Sequence, residues 1–141
     1  MKCLTMNMTL AVAALTIAAG TVSAQTMKAE IPFAFRVGKQ VMQPGEYRVS
    51  VLPSYSGTAV WRLANFDSKQ TVLVLSMNRT APSKEWSDAR LAKLSFACGD
   101  GPCALTRLWT GEGDAYNFHS ARGKDGEPHI AEITLRSGRA D

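Results

Sequence analysis

Short stretches of alternating apolar and polar residues, each bounded by turn formers, run through residues 31–136 of this chain and leave few folds open. A period of two gives a strand one buried and one solvated face. Ile31, Phe33, Phe35 and Val37 share one face of residues 31–37, and Pro32 marks an edge position or a strand start. Tyr47, Val49 and Val51 alternate in 46–51, and Trp61 and Leu63 point one way in 58–63. Residues 70–77 are apolar on both faces, with Val72 and Val74 on one and Leu73 and Leu75 on the other, which reads as a central strand or one covered on both sides. Leu94, Phe96 and Cys98 align in 89–98, while the pattern of 103–110 slips between Leu105 and Leu108, the mark of a bulge or of a strand exposed differently. A short strand is expected at 116–121, and a last one at 129–136 with Ala131, Ile133 and Leu135 inward.

Seven or eight short strands at such spacing predict an all-β, single-domain antiparallel β-sandwich or small β-barrel. Residues 78–88 are polar and form the longest expected loop, although Trp86, Arg90 and Lys93 have the spacing of a helical turn. No internal repeat or domain linker interrupts the pattern.

The N-terminus carries a different signal. Lys2 is followed by an apolar run at 10–19, a break at Gly20, and the small-residue site Val22-Ser23-Ala24. This is the three-part pattern of a cleavable secretory signal peptide at 1–24, cut between Ala24 and Gln25. A membrane anchor would need about 20 apolar residues, roughly twice this run, and no second run of that length follows. The mature chain at 25–141 is thus expected to be one exported domain, periplasmic or extracellular. Cys3 precedes the apolar run and is misplaced for lipid attachment after cleavage.

Lys2 is the one basic residue among the first 24, so 15 of the 16 basic groups remain against 12 acidic ones. This mild excess is scattered, with no run of like charges. Nucleic-acid binding, which shows as a concentrated basic patch, has little support. Two cysteines remain, Cys98 and Cys103, in Cys-Gly-Asp-Gly-Pro-Cys. Export implies an oxidising compartment in which paired cysteines become disulfides, and Asp100-Gly101 is a strong turn dipeptide that sets them opposite each other. The alternatives are free thiols or metal and redox chemistry. A zinc site asks for about four ligands, and a redox pair for a two-residue spacer where this one has four.

Catalysis requires convergent groups. His119 and His129 are the only histidines, no Gly-x-Ser-x-Gly elbow occurs, and no phosphate-cradling glycine loop opens a helix. Gly111 to Asp114 reads as a turn rather than a calcium loop. No metal, cofactor or catalytic residue is expected. Trp61 and Trp109 fall in strands and belong to the core. Trp86, between Lys84-Glu85 and Ser87-Asp88, is the candidate partner-binding residue together with Lys84 and Glu85. The competing reading is that Trp86 folds back over one end of the core.

Residues 31–38, Ile-Pro-Phe-Ala-Phe-Arg-Val-Gly, followed by Pro44-Gly45-Glu46-Tyr47-Arg48-Val49, resemble a group of small exported bacterial proteins of uncharacterised function. These share an I-P-F-x-F-x-V-G … P-x-G-x-Y-x-V opening after a signal peptide. The resemblance implies a compact β-domain and carries over no catalytic residue; the cysteine pair departs from the common pattern and so reads as a local staple. Three functions follow as expectations. The first is a non-catalytic exported β-domain that binds a protein, glycan or envelope component. The second is a lipocalin-like small-molecule-binding barrel, and the third an enzyme of unrecognised type using His119 or His129.

Overall fold

The computed structural model describes residues 26–53, 57–120 and 129–137. The expected signal peptide at 1–24 lies outside these residues. Twelve strands and one helix form among the described residues. They are β1 (Met27–Ile31), β2 (Phe35–Val37), β3 (Gln40–Met42), β4 (Gly45–Leu52), β5 (Val60–Asn65), β6 (Thr71–Leu75), β7 (Asn78–Thr80), α1 (Lys84–Ala89), β8 (Lys93–Gly99), β9 (Gly101–Trp109), β10 (Ala115–Asn117), β11 (His129–Thr134) and β12 (Arg136–Ser137). They build two sheets. The first runs β12-β1-β4-β5-β6, and the second runs β11-β8-β9-β10-β7, with β2 pairing both β3 and β9. The sheets face each other as a sandwich and do not close into a barrel, which removes the barrel alternative. Every pairing is antiparallel except β2 with β9, where Phe35 lies opposite Cys103 in parallel register.

The inward faces of both sheets supply one core. Ile31, Phe35, Met42, Tyr47, Val49, Leu63, Leu94, Phe96 and Leu108 are fully buried. Phe35 sits edge-to-face between Tyr47 and Phe96, with ring centroids 5.1 and 5.3 Å away. Aromatic pairs prefer this geometry because a positive ring edge meets a negative face.

The period-two reading holds for side-chain direction and fails for connectivity at two places. Residues 31–37 do point Ile31, Phe35 and Val37 into the core, yet they are not one strand. The chain leaves the first sheet after Ile31 and enters the second at Phe35. Pro32, which lacks an N–H for the ladder, stands at that crossing. Residues 70–77 are not central. Strand β6 is the edge of the first sheet, and Leu73 and Leu75 are 57% and 63% exposed. Their apolar character therefore belongs to a solvent-facing surface. The slip in 103–110 is a bulge, the first of its two readings. Ser95 pairs with Arg107 and Phe96 with Leu105, leaving Thr106 unpaired. The extra residue lets Leu105 and Leu108 both face the core and turns Trp109 outward.

A polar lock joins the turns at one end of the first sheet. Asn65 is 3% exposed. Its Oδ1 accepts from the Asp67 and Ser68 N–H groups at 2.8 and 3.1 Å, and its Nδ2 donates to the Gln43 carbonyl at 3.3 Å. The Tyr47 hydroxyl donates to the same Gln43 carbonyl. Gly45 has φ +151°, and a Cβ there would lie 3.0 Å from Asn65 Nδ2. The glycine of the Pro44-Gly45-x-Tyr47 opening is thus required by both backbone and neighbour.

Burial pushes the Tyr47 phenol above its ordinary value of 10.0, partly offset by the Asn65 side chain. The folded state holds this proton more tightly than the unfolded chain. The resulting stability is complete below about pH 10 and is lost as pH climbs through the folded value. Tyr47→Phe should flatten the alkaline limb of the pH–stability profile; an unchanged limb would exclude Tyr47 as its source.

Candidate functional site

Residues 78–88 are not a single loop; they contain β7 and all but the last residue of α1. Ser83 caps the helix, its Oγ accepting from the Trp86 N–H at 3.3 Å, and Arg90 closes it in the left-handed conformation, donating to the Trp86 carbonyl. This Ser-x-x cap after Pro82 was the available sequence signal for the helix.

Trp86 is not exposed. It is 3% accessible and stacks on Trp109 with centroids 6.4 Å apart and planes 18° from parallel. Its Nε1 donates to Glu132 Oε1 at 3.0 Å, and the Arg107 guanidinium lies 4.9 Å over its ring. Arg107 in turn donates to Asn117 Oδ1 and the Ala81 carbonyl. Trp86, Trp109 and Ala115 form a satellite core outside the main one, on the outer face of the second sheet. The apolar area offered to a partner is already covered, so Trp86 serves the fold. Lys84 and Glu85 are exposed beside it and form no patch with its ring.

Cys98 and Cys103 are joined in a disulfide across the β8–β9 hairpin. A loop closed over a sequence separation of 5 contributes about 2 kcal/mol in the chain-entropy model. Reduction should lower the unfolding free energy by about that amount, read from denaturant unfolding, without unfolding the domain, since the hairpin remains held by β2, β10 and β11. Full unfolding on reduction would contradict this. His119 follows β10 and His129 opens β11, and both are exposed on separate elements.

A different surface gathers chemistry. The register of the first sheet places Arg136, Lys28 and Arg48 side by side on three adjacent strands of the outer face. Arg62 stands opposite Ser50 on that face, one step along. Arg48, Arg62 and Lys69, with Phe66, Ala64 and Thr71, line an open groove of about 280 Å³. The Phe66 ring is the hub, with Arg48 4.9 Å and Lys28 5.9 Å over it. Like charges directly opposite each other on a sheet repel, and among the described residues none of these five cations has a carboxylate within ion-pair distance. The acids of this face, Glu30 and Glu46, sit opposite each other one step further along β1 and β4. Ser50 Oγ is buried on the same face without a hydrogen-bond partner among the described residues.

The sequence reading missed this cluster because its members lie far apart in the chain: Lys28, Arg48, Arg62, Lys69 and Arg136. Only cross-strand register collects them. The chain matches no protein-family model, no curated protein and no solved structure.

Proposed function

We propose that this chain is a non-catalytic exported β-domain that binds an anionic component of the cell envelope through the outer face of its first sheet. The observation that carries the reading is the cation set beside Phe66: Arg48, Arg62 and Lys69 line a groove of about 280 Å³, Lys28 and Arg136 continue the row, and none has an ionic partner among the described residues. Exposed charges of one sign on a rigid sheet attract an opposite surface at little reorganisation cost. Export rests on the leader-like residues 1–24 and agrees with a disulfide in the domain. The resemblance of residues 31–49 to exported bacterial proteins points the same way. A lipocalin-like role would require the closed barrel that the sheets do not form.

Expressed in bacteria, the chain should be recovered cut between Ala24 and Gln25 by intact mass, and should be retained on envelope material at low salt. Arg48→Glu/Arg62→Glu should release it. Recovery of an uncut cytosolic chain, or retention indifferent to the double variant, would overturn the proposal.

A further inference from the structure

We infer that the anionic component is the surface of a lipid bilayer and that the edge strand β6 dips its leucines into it; this rests on the binding reading above. The pattern on one sheet face points to a bilayer. Toward β12 and β1 the face is cationic, with Arg136, Lys28 and Arg48 in one row. Toward β6 it becomes apolar within a single sheet spacing. Leu73 stands opposite Arg62, and Leu75 opposite Val60, which is itself opposite Leu52. Leu73 and Leu75 are 57% and 63% exposed, and Met77, just beyond, is 66% exposed. Large apolar side chains grouped in this way on an exposed surface mark an interaction site.

An acidic polysaccharide would engage the cations and leave the leucines in water. A bilayer with anionic headgroups uses both: phosphates meet the guanidinium and ammonium groups, and leucines enter the boundary between headgroups and acyl chains. The arrangement is the sheet equivalent of an amphipathic surface helix. Glu30 and Glu46 face each other at the opposite end of β4 from Leu52, so the acids of this face stand away from its apolar end.

The test uses protein isolated after export and vesicles of phosphatidylcholine alone or mixed with phosphatidylglycerol, read by co-sedimentation. The protein should bind mixed vesicles and not neutral ones, more weakly as salt rises from low to high because exposed charges are screened. Each cation at an anionic membrane strengthens binding about fivefold, so Arg48→Glu/Arg62→Glu should weaken it by roughly 25-fold or more. Leu73→Ser/Leu75→Ser should weaken it by about tenfold while leaving retention on an acidic polysaccharide resin unchanged. Both leucines are exposed, so the variant keeps its core, which an unchanged circular dichroism melt would verify. Retention on the polysaccharide without vesicle binding would overturn the lipid assignment and leave the binding reading standing. Binding to neither would overturn both. Vesicle binding unaffected by the leucine variant would remove β6 from the contact.

Discussion

Trp86→Ala should lower the unfolding free energy by about 3–5 kcal/mol and leave vesicle binding per folded molecule unchanged. Strand β9 bulges at Thr106, which turns Trp109 out of the main core. An indole on an outer face would lose the benefit of burial, and Trp86 restores it by stacking from α1. The helix has six residues, and Trp86 is its only buried one. A helix this short is marginal in water and persists only through tertiary packing. Truncating Trp86 therefore removes the ring, exposes Trp109, frees Glu132 and releases the helix together. Arg107 also loses the face on which it rests. Denaturant unfolding of wild type and variant measures the change. A cost under about 1 kcal/mol would mean that the satellite core holds nothing in place. Lys84→Ala and Glu85→Ala serve as controls, exposed on the same helix and expected to stay within about 0.5 kcal/mol of wild type. Lipid affinity should not move, because α1 packs on the second sheet and the cationic face belongs to the first.

The second large effect is expected at Asn65. Asn65→Ala deletes one acceptor serving two backbone N–H groups and one donor serving the Gln43 carbonyl. Leaving partly buried groups unpaired costs about 1–3 kcal/mol in such settings, and more than one group is stranded here, so a loss of about 2–4 kcal/mol is expected. A double-mutant cycle makes the test specific. Gly45→Ala alone forces a Cβ to within 3.0 Å of Asn65 Nδ2 at φ +151°. With Asn65 already truncated, the steric part of that cost disappears and only the backbone strain persists. The two changes should therefore couple, the double variant being more stable than the sum of the single ones predicts. Strict additivity would show that Gly45 answers to backbone conformation alone and that the close approach of Asn65 is without consequence. In this chain Gly45 and Tyr47 both work on the turn that Asn65 closes from the neighbouring strand.

Alternation by itself determined which side chains face inward. Tyr47, Val49, Trp61, Leu63, Leu94 and Phe96 are all buried, because a strand can present only every second residue to a core whatever its partners. The all-β class, the Cys98–Cys103 staple and the bulge between Leu105 and Leu108 were legible for the same reason: each is a local consequence of spacing. Strand order was not. Val72 to Leu75 looks doubly buried from its residues alone, and only the sandwich shows that Leu73 and Leu75 are exposed on an edge strand. Trp86 is surrounded by charge in the chain and by Trp109, Arg107 and Glu132 in space, contacts made by β9 and β11 and invisible at the position of α1. The cationic face is the clearest case. Its outermost members are more than one hundred positions apart, Lys28 and Arg136, and their charges add only after β12, β1 and β4 are laid side by side. Periodicity constrains a residue's direction through its own backbone, whereas a surface is defined by pairing register between strands, which long-range packing alone decides.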